Sequence, residues 1–231
     1  MWATKKSKRP TARKLMARIE PQSIVAEQYR TIRTNINFSF PSLDTQTILF
    51  TSASKEEGKS TTASNMAIVF AEAGKRVLLV DADMRRPTLH HTFKLSNRIG
   101  LANLLIKKGR LTDTVRQSGI KGLDLLMCGH IPPNPAELLS SPVFDSLLNE
   151  MKMKYDLIIF DSPPILSVTD SLILANKCDG TVLVVNTGKT EKQMVVKARD
   201  ALASAKAFIV GVVLNNYKIG KDSYLYQNYS N

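Results

Sequence analysis

The stretch TSASKEEGKSTTA (51–63) places Gly58, Lys59 and Ser60 at the end of the pattern G-x-x-x-x-G-K-[ST], with Ala53 where the first glycine would stand. The pattern meets a physical need. Backbone N–H groups converge on phosphate oxygens at a helix N-terminus, while Lys59 reaches the β and γ phosphates and Ser60 ligates Mg²⁺. Two further apolar runs end in carboxylates: VLLVDADMRRPT (77–88) delivers Asp81 and Asp83, and LIIFDSPP (157–164) delivers Asp161. A lone Asp after a strand usually caps a helix or forms a turn. Three at the edge that carries a phosphate loop instead form a magnesium environment of carboxylates, water and phosphate oxygens. Strand alternation points Asp81 and Asp83 to the same side, so both can face one metal. A second fragment, TGKT (187–190), lacks a glycine five residues before Gly188 and reads as a decoy.

These groups need a scaffold that brings strand ends together. Short, nearly continuous apolar runs recur at 47–53, 76–83, 123–127, 155–164, 180–186 and 207–215, as strands buried on both faces of a parallel sheet require. Between them, KSTTASNMAIVFAEAG (59–74) spaces Ala63, Met66, Ala67, Phe70 and Ala73 on one helical face and stops at Gly74. NPAELL starts another helix, with Asn134 as N-cap, Pro135 at the first position and Glu137 three after the cap. The alternation predicts an α/β, doubly wound, mostly parallel sheet flanked by helices, of the phosphate-loop NTPase kind.

Composition agrees with one soluble globular body of 231 residues, 43% of them hydrophobic. No apolar run approaches the roughly 20 residues of a membrane span, and the N-terminus has no signal-peptide stretch, so a cytoplasmic protein is expected. Cys128 and Cys178 have no Cys or His at metal-ligand spacing and read as reduced core residues. His90 and His91 lack a third ligand and read as surface or loop residues. Of the net charge of +12, seven units lie in residues 1–18, which hold no acid. Such a segment suits an anionic lipid surface, an acidic partner or plain solubilisation; without a base-reading motif, nucleic acid is not expected. The C-terminus DSYLYQNYSN (222–231) is unusual in another way. Four of the six tyrosines lie in the last fifteen residues, where uniform scatter would put about 0.4. Aromatic pinning of an edge strand is one reading of that cluster.

Taken together, ASKEEGKST, VLLVDADMRRPT, LIIFDSPP, EQYRTIRTN (27–35) and GHIPPNPAELLSS (129–141) resemble the bacterial tyrosine kinases of the capsular and exopolysaccharide type. The resemblance runs from about Pro21 to the end and implies a basic flexible segment at 1–20, a kinase domain at 21–216 and a tyrosine-rich tail at 217–231. Its first loop corresponds to Ala53–Thr61, making Ala53, Ser54, Glu57, Gly58, Lys59, Ser60 and Thr61 the nucleotide set, with Asn215 near adenine. It implies catalysis by Lys59, Asp81 and Asp83, metal binding by Ser60, Asp83 and Asp161, and ATP with Mg²⁺ as cofactors. It further implies autophosphorylation of Tyr224, Tyr226 and Tyr229 and activation by a transmembrane polysaccharide co-polymerase at the inner face of the plasma membrane. A homo-oligomeric ring, an octamer, and a cognate tyrosine phosphatase complete the expectation. Glu27, Arg30 and Arg33, in an E-x-x-R-x-x-R pattern along one helical face, match the contact between ring subunits, flanked by Ile32 and Ile36. A solvated helix with internal ion pairs is the plainer reading of those charges.

Two departures from the family pattern stand out. Lys55-Glu56 replaces a small pair before Glu57-Gly58-Lys59, and Ser54 occupies the place of the signature lysine of Min and Par type ATPases. A membrane-associated ATPase of that type, or a nucleotide-dependent assembly subunit, is the alternative. As for the chemistry, a phenol at pKa about 10 and an aspartate at about 3.9 make prior proton transfer uphill by roughly 8 kcal/mol, so catalysis rests on position and charge neutralisation. Asp81 is the expected proton acceptor, and Asp161 is expected to hold Mg²⁺ through water. From Asn215, extended chain reaches about 30 Å to Tyr224 and about 46 Å to Tyr229, far enough for a neighbour's site.

Overall fold

The structure is a computed structural model that describes residues 13–40 and 45–217. Along the chain, the short α1 (Met16–Ile19) and long α2 (Ile24–Ser39) precede β1 (Thr47–Ser52), α3 (Lys59–Glu72) and β2 (Val77–Asp81). Three short helices follow, α4 (Leu89–Phe93), α5 (Leu101–Leu105) and α6 (Leu111–Thr114), then the hairpin β3 (Arg116–Ile120) and β4 (Leu123–Leu126). The chain continues through α7 (Pro135–Ser140), α8 (Pro142–Lys154), β5 (Leu157–Asp161), α9 (Asp170–Lys177), β6 (Gly180–Asn186), α10 (Lys192–Ser204) and β7 (Ile209–Asn215). The strands form one sheet in the order β3-β4-β2-β5-β1-β6-β7, parallel throughout except that β3 runs against β4.

Alternation along each central strand divides the core into two layers. Leu49, Leu78, Val80, Ile158 and Phe160 face one side, with Leu139, Phe144 and Met151 of α7 and α8. Ile48, Phe50, Val77, Leu79 and Ile159 face the other, against Met66, Ala67 and Phe70 of α3 and Ile36 of α2. Burial on both faces explains why these runs read as continuous rather than alternating. β5 inserts between β1 and β2, so Asp81 and Asp161 stand opposite each other at the ends of neighbouring strands. The phosphate loop leaves β1 on the far side of β5.

Several local expectations are corrected. β3, RQSGI, has a largely exposed face and belongs to an antiparallel edge, so it carries no buried-strand pattern. Ala73 lies exposed at the end of α3, outside the apolar face assigned to it, whereas Gly74 does adopt the left-handed backbone of a helix stop. Asn134 precedes α7 but makes no side-chain cap bond; its amide donates to Glu137 instead. His90 and His91 lie on α4 rather than in a loop, with His91 exposed at the surface as expected and the two rings tilted against each other. Residues 13–19, expected within a basic leader, pack on the body, with Leu15 and Ala17 buried. Cys128 and Cys178 are free and buried. Among the described residues no helix is long and apolar enough to cross a membrane.

Candidate active site

The phosphate loop is shaped by its backbone. Glu56 (φ 65°) and Gly58 (φ 94°) take left-handed conformations, and Gly58 caps α3. A Cβ on Gly58 would lie 1.9 Å from Asn215 Nδ2, so both torsion and space demand glycine there. Ala53 is buried with no left-handed torsion, which explains why alanine serves where the sequence pattern has glycine. Inside the loop, Ser52 Oγ donates to the Ser54 carbonyl at 2.7 Å, and Ser54 N–H donates to Glu57 Oε1 at 2.9 Å. Glu57 is buried, which pushes its carboxyl above the ordinary range, and its Oε2 has no hydrogen-bond partner. The first intrahelical bond of α3 runs from Thr62 N–H to the Gly58 carbonyl at 2.9 Å. The N–H groups before it, including those of Lys59, Ser60 and Thr61, have no partner within the helix and face its N-terminal end.

Distant residues hold the loop in place. Asn215, at the end of β7, donates from Nδ2 to the Glu57 carbonyl at 3.0 Å, so it grips the loop itself. Asn186, at the end of β6, donates to the Glu56 carbonyl at 3.4 Å, and Asn216 donates to Asn186 Oδ1 at 3.1 Å. In the fragment TGKT, Lys189 Nζ lies 3.5 Å from Glu56 Oε2, an exposed pair beside the phosphate loop. The Glu56 side chain is 77% exposed, and Lys55 is exposed as well, so the unusual Lys55-Glu56 pair faces solvent and Lys189.

Lys59 Nζ sits 3.2 Å from Asp83 Oδ2, 3.7 Å from Asp161 Oδ1 and 3.3 Å from Ser60 Oγ. Burial alone would depress its pKa, but the charges of Asp161 and Asp83 outweigh burial and raise it. Asp83 Oδ1 also accepts from Arg86 N–H at 3.0 Å. Asp81 Oδ2 accepts from the N–H groups of Thr88 and Leu89, both at 3.0 Å, while its Oδ1 is buried without a partner. Burial and the neighbouring Asp161 push Asp81 up to about 7. Asp161 is fully buried with neither carboxylate oxygen hydrogen-bonded; burial raises its pKa and the Lys59 charge opposes the rise. The catalytic and metal-binding candidates Lys59, Ser60, Asp81, Asp83 and Asp161 thus meet at one sheet edge.

Those orphaned oxygens fit a hard cation. Among the described residues no group of three or more His, Cys, Asp or Glu side chains is arranged to hold a metal alone. A Mg²⁺ here would complete its shell with phosphate oxygens and water.

Three contributors escaped sequence reasoning. Arg13 Nη1 donates to Thr88 Oγ1 at 2.6 Å, beside the carboxylates. Asn65 of α3 holds the segment that carries Arg13. Arg85 forms a two-point clamp on buried Asp170, at 2.9 and 3.0 Å, fixing the turn after Asp83. The RR pair inside VLLVDADMRRPT was a visible signal for Arg85, but nothing in the sequence named its partner. Of the interface candidates, Arg30 pairs with Glu27 at 3.0 Å and donates to the Pro21 carbonyl at 2.8 Å. Arg33 donates to the Val69 carbonyl at 2.8 Å, and Ile36 is buried in the chain's own core. Tyr224, Tyr226 and Tyr229 lie outside the described residues.

Comparisons with known proteins bear on this geometry. Residues 45–194 match the family described as AAA domain. The chain is 50% identical over 211 residues to tyrosine-protein kinase YwqD of Bacillus subtilis, covering 91% of this chain and 89% of that one. The solved chimerical protein CapA2B2 superimposes with a TM-score of 0.86 at 38% identity, covering 91% of this chain and 94% of its own. The kinase domain of the Escherichia coli tyrosine kinase ETK gives 0.82 at 29%, covering 93% and 86%. The septum site-determining protein MinD of Pyrococcus horikoshii shares the fold alone, at 0.64 and 23% identity over 77% of this chain and 72% of its own, and the ATPase alternative is not favoured. With a carboxylate-bracketed lysine at a phosphate loop and relatives matched along nearly their full length, the chain belongs to the bacterial tyrosine-protein kinases, protein-tyrosine kinases built on a nucleotide-binding phosphate-loop fold.

Proposed function

We propose that the chain transfers the γ-phosphoryl group of ATP to Tyr224, Tyr226 and Tyr229 of its own C-terminal segment, with Lys59, Asp81 and Asp83 as the catalytic set. One observation carries the reading: Lys59 lies between Asp83 and Asp161 at the N-terminus of α3, while Asp81 presents an unpartnered buried oxygen beside them. The bond between γ-phosphorus and the bridging oxygen breaks, leaving its electron pair on ADP, as a bond to the tyrosine Oη forms. The phenolic proton passes to Asp81 Oδ1, whose raised affinity for protons suits it better than an ordinary aspartate. Lys59 and the N–H groups of the loop neutralise and orient the phosphates. Ser60, Asp83 and Asp161 would hold Mg²⁺, which would supply charge neutralisation of the phosphates when bound.

The position of the chain's exit supports the tail as substrate. Asn215 touches the phosphate loop, and Tyr217, two residues on, is exposed. The kinase body would extend through residue 216, with the tail at 217–231 and a basic leader ahead of the packed segment. A groove of about 460 Å³ runs between α2 and β7, lined by Val25, Tyr29, Ile32, Val213, Leu214 and Tyr217. Glu27 is exposed on another face of α2; by resemblance the chain would assemble as a ring, an octamer, in which one subunit's tail enters the next subunit's site. By resemblance, a transmembrane polysaccharide co-polymerase is the activator at the inner face of the plasma membrane. Capsular or exopolysaccharide synthesis is then the regulated process, and a tyrosine phosphatase the antagonist.

Mixing two variants tests it. Lys59→Met with an intact tail is incubated with MgATP and an active chain whose three tail tyrosines are Phe. Phosphotyrosine appearing on the Lys59→Met chain is expected; none there while wild type with the activator labels its own tail overturns transfer between subunits, and none in wild type either overturns the kinase reading.

A further inference from the structure

Asn65 is buried in the middle of α3, the helix that follows the phosphate loop. A buried amide is costly unless its groups find partners. Here Nδ2 donates to the Thr61 carbonyl at 2.9 Å and to the Lys14 carbonyl at 3.3 Å, and Oδ1 accepts from Ala17 N–H at 2.9 Å. Two of these three bonds fasten residues 13–19 across α3 as a strap, with Leu15 and Ala17 buried beneath it. The strap begins at Arg13, whose Nη1 meets Thr88 Oγ1 at 2.6 Å, while Thr88 N–H meets Asp81 Oδ2 at 3.0 Å. Among the described residues this is the one hydrogen bond of a guanidinium with five donors. Its charge is felt across the site, acting to lower the pKa of both Lys59 and Asp161.

Three carboxylates gather beside the phosphate loop, and Lys59 is already engaged by two of them. Beyond Lys59 and the Mg²⁺ that these carboxylates would hold, a further cation would stabilise the negative charge that spreads over the equatorial oxygens and the departing ADP. We propose that Arg13 is that cation, swinging from Thr88 to bind oxygens of the transferred phosphoryl group, delivered in cis by the strap that Asn65 fastens. The proposal rests on the kinase reading. It adds no atoms to the step: phosphorus exchanges the bridging oxygen of ATP for tyrosine Oη, the proton goes to Asp81, and Arg13 stays protonated throughout.

The test is single-turnover transfer from ATP to tail tyrosine in the full chain, with ADP affinity and melting temperature measured alongside, for wild type, Arg13→Ala, Arg13→Lys and Lys59→Met. Arg13→Ala is expected to slow transfer by about 100-fold while the ADP Kd moves less than about threefold and melting is unchanged. Arg13→Lys, which keeps the charge without the fork, should recover part of the loss. Transfer by Arg13→Ala within about threefold of wild type overturns the proposal, and so does a loss matched by equal falls in ADP affinity and melting temperature, which would make Arg13 a strap residue only. A wild type with no Lys59-dependent transfer would instead indict the kinase reading.

Discussion

Lys59 keeps its proton because two carboxylates surround it, and those carboxylates are tolerable in a buried edge because Lys59 is there. Lys59→Met should therefore abolish phosphoryl transfer, a fall of at least about 1,000-fold in rate, checked by phosphotyrosine formation. Asn215 acts differently. Asn215→Ala leaves the Glu57 carbonyl without its 3.0 Å donor and loosens the loop without touching Lys59. Nucleotide affinity is expected to fall about tenfold, with about 1 kcal/mol of stability lost, measured by ADP titration and denaturant unfolding. The meeting of Lys59, Ser60, Asp81, Asp83 and Asp161 was legible in the sequence because each belongs to a short local pattern, the first two at the start of the helix after β1 and the others at or just past the ends of β2 and β5. The grip of Asn215 on Glu57, the strap bond from Ala17 to Asn65 and the Arg85–Asp170 clamp were not, because their partners lie 158, 48 and 85 residues apart. Only folding brings such groups together, and no periodicity records the meeting.

Elements were legible in proportion to their burial. The six apolar runs all became strands, since burial on both faces leaves a continuous hydrophobic signature. β3 escaped because an exposed antiparallel edge strand needs no such run. In α2 the charged face divides between two tasks. Arg33 caps a carbonyl in the last turn of α3, where a cation also meets the helix dipole favourably. Arg33→Ala should lower the melting temperature of the monomer. Glu27→Ala is expected to leave melting unchanged and to reduce the oligomer seen in sedimentation, if the proposed ring contact uses this face; an unaltered oligomer contradicts that contact. Another device sits where β6 begins. Asp179 accepts from Gln46 and Thr47 N–H at 3.0 and 2.9 Å and pairs with Lys152 at 3.3 Å, tying β1 to α8. Burial raises its pKa, but the N–H groups and Lys152 outweigh burial and hold it below the ordinary value. The stability it contributes is thus full above the unfolded pKa of about 3.9 and disappears as pH falls through the lower folded value. Asp179→Asn should cost about 1–2 kcal/mol at pH 7, with the deficit shrinking below pH 4 in urea unfolding.

Across the whole molecule, one seven-stranded sheet gathers the phosphate loop, the paired strand-end carboxylates and the exit of the C-terminal segment at a single edge. The tyrosine cluster and most of the basic leader lie outside the described residues, and they carry the regulatory chemistry proposed for this chain. Three phosphates on the tail would change its charge by roughly −4.5 to −6, enough to oppose a ring contact built on charged side chains. The most direct measurement is a phosphopeptide map of the protein taken from its native cells, wild type beside Lys59→Met. Phosphotyrosine at 224, 226 or 229 in the wild type and none in the variant is the expected result. An unmodified tail in both, with the activating partner present, would contradict autophosphorylation as the function of this site.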